Sequence, residues 1–228
     1  AVNPDGQKFL EQMQSVILRM RGTLDLDTAT ATSLLANPMV AIGILVYLAG
    51  IVPLVEETLK TLVIAFIDPR RTQLQDAVLW SIAAGAGFAM IENIFNTSAV
   101  LSIWAVTVFT RLGATTMHVA NGVTMGRGWY AARVERRWDK LFIAFATSVF
   151  FHGLWNALAI TLGGIALLVG DNSLTANAVT APAGVIIFAI ALVLIILAVM
   201  GCVWIVYSVR SVRERAPTKN LWEGEVLT

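Results

Sequence analysis

From Phe9 to Met20 the apolar residues Phe9, Met13, Val16, Ile17 and Met20 recur at helical spacing, with Lys8, Glu11, Gln12 and Arg19 on the opposite side. That pattern predicts an amphipathic helix lying in a membrane interface. A polar linker, Asp25 to Ser33, follows. Beyond it the signal changes from periodicity to length. Apolar segments run from about Pro38 to Ile67, Leu74 to Phe95, Leu112 to Val134, Leu141 to Leu162 and Val179 to Val209, with a shorter piece at Ala99 to Phe109. About 20 apolar residues suffice to cross a ~30 Å hydrocarbon layer as a helix. The long segments are therefore predicted spans, and the short one a re-entrant or interfacial helix. Pro53 is placed to kink the first span one turn before a pair of carboxylates. The expected fold is all-α: a polytopic transmembrane helical bundle of about five spans, with one short re-entrant helix and an N-terminal amphipathic helix. The chain then divides into an interfacial segment and linker (1–37), a transmembrane domain (38–210) and a polar tail (211–228).

Composition agrees with a lipid environment. Of 228 residues, 57% are hydrophobic and only 14% charged, whereas soluble domains carry about a quarter charged residues. The net charge of +1 offers no field for nucleic acid. The single cysteine, Cys202, excludes an internal disulfide and a cysteine metal site. The chain opens on Ala1 without an initiator methionine, so a processed or shortened amino terminus is the expectation. Basic residues cluster at Arg70-Arg71, from Arg133 to Lys140 and from Arg210 to Arg215. Short loops rich in Lys and Arg stay cytoplasmic, so these three clusters are expected on one side. Gly85, Gly87, Gly113, Gly122 and Gly126 are small residues of the kind that let helices approach closely in lipid.

The chemistry lies in the exceptions to apolarity. An ionisable side chain at the bilayer centre costs at least ~2.5 kcal/mol, so each needs a partner, a watery cavity or a function. Glu56, Glu57, Glu92, His118 and His152 all fall within apolar segments, and these are the only two histidines in the chain. Glu56 and Lys60 are four apart and can pair along one helix face, which leaves Glu57 to point elsewhere. Phe88 and Glu92 lie one turn apart. Arg111, His118 and Asn121 share a face, and His152 and Asn156 project side by side. Two mechanisms suit these residue types. In one, a buried Glu56 or Glu57 takes a proton from water attacking a peptide carbonyl, with His152 orienting the water and Asn156 donating to the oxyanion. In the other, His118, His152 and Glu92 hold a divalent metal such as zinc that activates the water. A metal-ion or proton transporter is the alternative, since buried Glu and His also build relays. A non-catalytic membrane scaffold of the same fold is a third reading.

The motifs Glu56-Glu57-Thr58-Leu59-Lys60, Phe88-Ala89-Met90-Ile91-Glu92-Asn93, His118 within Arg111 to Gly122, and His152-Gly153-Leu154-Trp155-Asn156 stand in this order on successive hydrophobic segments. Together they resemble the PrsW-type intramembrane proteases, which look like distant relatives of the CAAX prenyl endopeptidases. In the CAAX relatives the first motif ends in Arg one position later and the second ends in His. Lys60 and Glu92 in those places point to the PrsW branch. The resemblance implies a glutamate-dependent site, within the membrane, that cuts membrane-anchored protein substrates. It further implies a multi-pass protein of the bacterial inner membrane acting on substrates such as anti-sigma factors.

Overall fold

The computed structural model describes residues 37–66, 68, 72–97, 104–170 and 181–215. The predicted amphipathic helix at Phe9 to Met20 and its linker lie outside the described residues. Among the described residues six α-helices follow one another: α1 Pro38–Val46, α2 Val52–Ala65, α3 Leu74–Thr97, α4 Trp104–Arg133, α5 Trp138–Gly170 and α6 Ala181–Arg215. Among the described residues there is no strand.

α1 begins with Asn37 as its cap, the side-chain oxygen accepting from the Met39 N–H at 3.0 Å, with Pro38 in the first turn where its missing N–H is harmless. α1 and α2 form one long apolar element, joined by a π turn over Tyr47–Ile51. Pro53 lies immediately beyond it and has no N–H to give to the carbonyls of that turn. Pro53 is expected to kink this span, and the irregularity the structure shows is the π turn on its N-terminal side.

Among the described residues four elements are long and apolar enough to cross a membrane: Pro38–Leu62, Leu74–Phe95, Trp138–Ile165 and Gly184–Glu214. α4 is more polar, carrying Arg111, His118, Asn121 and Arg127. It tolerates this because protein surrounds it. Gly85 and Gly122 mark the crossing of α3 and α4, where a methyl on either would meet the backbone carbonyl of His118 or Ser81. These pairings run antiparallel. On the other side Gly113 accommodates the indole of Trp155 and Gly128 faces Leu141 and Ala144, so α4 and α5 are antiparallel too. α6 runs parallel to α4: Gly201 lies beside Thr116, Trp204 donates to Thr124 at 3.0 Å, and Arg127 donates to Ser211 at 3.3 Å. Arg133 to Lys140 and Arg210 to Arg215 thus share one end of the bundle with the start of α3, whereas Arg70-Arg71, the third cluster expected on that side, lies outside the described residues.

The side-chain distribution is inverted relative to a soluble protein. Large apolar groups such as Leu59, Trp80, Ile94, Phe95, Phe142, Phe150 and Phe188 face outward. The interior holds small residues (Ala77, Ala89, Ala120, Ala131, Ala132) together with Glu57, Lys60, His118, Asn121, Ser148 and His152. An apolar cluster of Ala114, Met117, Trp155, Leu162, Leu194 and Leu197 fastens α6 to α4 and α5.

One sequence expectation is corrected. The piece from Ala99 to Phe109 is predicted as a separate re-entrant helix, but Trp104 to Phe109 are the first turns of α4 and continue unbroken to Arg133. Nothing between Phe109 and Leu112 breaks a helix, and Arg111, which suggests a boundary in an apolar run, is neutralised by a partner on α3. The last helix also extends further than predicted, so 211–215 are helical rather than part of the tail.

Candidate active site

Four helices converge on one polar cluster. α2 supplies Glu56, Glu57 and Lys60, α3 supplies Phe88 and Glu92, α4 supplies Arg111, His118 and Asn121, and α5 supplies His152. His118 lies 15 residues before the end of α4, which at 1.5 Å per residue puts it ~22 Å from the basic end of the bundle. That distance falls within a ~30 Å hydrocarbon core.

The centre is the Glu57 carboxylate, whose side chain is 1% exposed. Its Oε1 accepts from Lys60 Nζ at 3.0 Å, from His152 Nδ1 at 2.8 Å and from the Asn121 amide at 3.4 Å. Asn121 also donates to the Ser148 carbonyl at 3.1 Å, tying α4 to α5. Glu56 is less committed. Its side chain is 16% exposed, and Oε2 stands 3.4 Å from Lys60 Nζ and 3.5 Å from His152 Nε2. The remaining oxygen Oε2 of Glu57 is buried without a hydrogen-bond partner among the described residues, as is Glu56 Oε2. Unsatisfied acceptors in a dry interior are costly, about 1–3 kcal/mol each.

A second line of contacts leads outward. Lys60 Nζ approaches His118 Nδ1 at 2.7 Å, and His118 Nε2 meets Glu92 Oε2 at 2.7 Å. An ammonium has only donors, so Nδ1 accepts and the Nε2–H donates to Glu92. Glu92 in turn pairs with Arg111 at 2.7 Å. Lys60 sits 4.4 Å above the Phe88 ring, which adds a cation–π contact. The two imidazoles stand edge to face, 4.9 Å between centroids.

All five ionisable residues singled out by sequence are therefore in one network. The detail differs from the expected pairing. Lys60 bridges both glutamates and lies closer to Glu57, because positions three and four residues apart share one helix face. Arg111 was visible only as a face-mate of His118, yet it anchors Glu92. Asn156, expected to donate to an oxyanion, instead gives its amide to the Leu48 carbonyl at 2.9 Å. Pro53, five residues on from Leu48, cannot supply the N–H that a π turn would use there. Asn156 supplies the missing donor. Next to it Gly153 lets α5 lie directly on the carbonyl of Ala49.

A metal ion was the other sequence expectation, with His118, His152 and Glu92 as ligands. The donor atoms that lie within 4.8 Å of one another belong to Glu56, His118 and His152. Glu92 is on the far nitrogen of His118, where it orients the ring. Two imidazoles and a carboxylate suit zinc, but zinc binds nitrogen at ~2.0–2.1 Å. An ion on His118 Nδ1 would coincide with the Lys60 ammonium, 2.7 Å from that nitrogen. With Lys60 in place, these residues do not fit a metal.

Residues 16–201 match the family model described as PrsW family intramembrane metalloprotease. The chain belongs to the PrsW family. No curated protein and no solved structure matches it. As a PrsW protein it is a multi-pass membrane peptidase, and the transporter reading falls away. Every motif that carries the PrsW resemblance contributes a side chain to the cluster or to the contact that braces it.

Proposed function

We propose that this PrsW protein is an endopeptidase that hydrolyses peptide bonds of membrane-anchored proteins, with Glu56 as the base that activates water. The observation that carries this assignment is the unequal treatment of the two glutamates. Glu57 gives its Oε1 to three donors and is sealed from solvent, whereas Glu56 is partly exposed and held only by longer contacts. The first is fixed as a charge that holds Lys60 and His152. The second is the carboxylate left with partial exposure.

In this reading Glu56 takes a proton from water as its oxygen attacks the carbonyl carbon. The carboxylic acid so formed gives that proton to the leaving amine as the C–N bond breaks. His152 donates through Nδ1 to Glu57, which leaves Nε2 as an acceptor 3.5 Å from Glu56 Oε2, placed to hold the acid while it is protonated. Glu92 and Arg111 keep His118 oriented, and His118 keeps Lys60 against the glutamates. Glu56, Glu57, Glu92, His118 and His152 form the proposed site, and Asn156 acts through the backbone that it fastens.

The substrates proposed are single-span or membrane-adjacent polypeptides in a bacterial inner membrane, which the described residues would cross five times when α4 is counted. Anti-sigma factors are the first class to test. The purified protein, reconstituted in vesicles with a single-span reporter, is expected to cleave it and to lose that activity in Glu56→Gln and His152→Ala. Full cleavage by both variants would overturn the assignment.

A further inference from the structure

We infer that the Lys60 ammonium and a divalent metal ion compete for one position in the cluster, so that Lys60 keeps the wild-type protein a poor metal binder. Glu56, His118 and His152 hold donor atoms within 4.8 Å of one another. Lys60 Nζ already lies against two of these residues, 2.7 Å from His118 Nδ1 and 3.4 Å from Glu56 Oε2, and adds Glu57 Oε1 at 3.0 Å. It is buried. Its contacts are those that a small cation would make, and it satisfies the same lone pairs.

A metal has two routes to His118, and both are blocked. On Nδ1, a bond of ~2.0–2.1 Å would place the ion on top of the ammonium. On Nε2, the ion would displace the hydrogen bond to Glu92 at 2.7 Å. Swinging Lys60 away is also unfavourable. It would break a charged contact to each of three partners and strand its cation in an interior of alanine, phenylalanine and lipid. Lys60 is thus a built-in counter-cation for Glu56 and Glu57, doing by a covalently tethered charge what a bound metal would do for the same carboxylates.

The inference concerns metal affinity and goes beyond cleavage, so its test does not read activity. Zinc is titrated into the full-length protein in detergent against a chromophoric chelator, for wild type, Lys60→Met, Lys60→Arg and the double variant Lys60→Met/His118→Ala. Lys60→Met is expected to bind one zinc at least about tenfold tighter than wild type, the equivalent of one charge-assisted hydrogen bond no longer broken. Lys60→Arg should stay near wild type, and the double variant should lose the gain. Equal zinc affinity in wild type and Lys60→Met overturns the inference. Should Lys60→Met fail to fold, His118→Ala in the wild-type background decides instead. Unchanged zinc affinity there supports the competition, and a tenfold fall refutes it.

Discussion

Replacing each glutamate of the pair by glutamine should separate fold from chemistry. Glu57→Gln keeps an acceptor but removes the charge that Lys60, His152 and Asn121 converge on at 3.0, 2.8 and 3.4 Å. Breaking a buried pair of this kind by removing one partner costs about 3–5 kcal/mol, most of it the penalty of the cation left behind. Here the second glutamate keeps part of that cation's company, so the lower end, about 3 kcal/mol, is expected. Glu56→Gln removes contacts of 3.4 and 3.5 Å at a partly exposed side chain. This pair is largely buried, so its loss should cost more than the about 0–1 kcal/mol of an exposed pair but less than the about 3 kcal/mol of Glu57→Gln. The effect of Glu56→Gln on rate should be far larger, because losing a general base typically costs 10²- to 10⁴-fold. Unfolding monitored by tryptophan fluorescence in mixed micelles gives the stability, and reporter cleavage under matched folded fractions gives the rate. Glu56→Gln should be less destabilised than Glu57→Gln in the first and nearly dead in the second. The reasoning is refuted if Glu56→Gln cleaves within tenfold of wild type, or if Glu57→Gln is as stable as wild type.

Asn156→Ala strips the donor from the Leu48 carbonyl, and should lower stability by about 1–3 kcal/mol while leaving residual cleavage. A hundredfold fall in kcat at unchanged stability would instead make Asn156 an oxyanion donor. Leu197→Ala removes a buried side chain between α6 and its neighbours, and should cost about 2–4 kcal/mol with kcat of the folded protein within twofold of wild type. A much larger loss of kcat would bring α6 into the chemistry. Exhaustive chelation followed by metal analysis should leave cleavage intact. Loss of activity restored by added zinc would show that Lys60 moves aside in the working enzyme.

The sequence made the membership of the site legible, because charge is expensive in hydrocarbon and Glu57, Glu92, His118 and His152 stand out against their runs. Their convergence from four helices, with α6 outside the cluster, follows the order of motifs along the chain. What one dimension does not contain is lateral distance. Whether Lys60 serves Glu56 or Glu57 depends on side-chain direction across a shared face, and the pairing of Arg111 with Glu92 depends on the crossing of α3 and α4 that Gly85 and Gly122 permit. Hydropathy misplaced the start of α4 for a related reason. A polar residue in an apolar run suggests an end, and only its partner on another helix shows that it is not one. The side of Asn156 was legible, but its partner was hidden behind a π turn that no spacing announces.

The π turn at Tyr47–Ile51 sets how the catalytic helix can move. Asn156 grips the carbonyl of Leu48, and Gly153 lies on that of Ala49, so the π turn is latched to α5 at its own carbonyls, about two turns before the glutamates. The contacts among Glu56, Glu57 and His152 therefore lie on one side of this tether and α1 on the other, so the segment that enters from the amino-terminal side is joined to the hydrolytic helix through a point already fixed to α5.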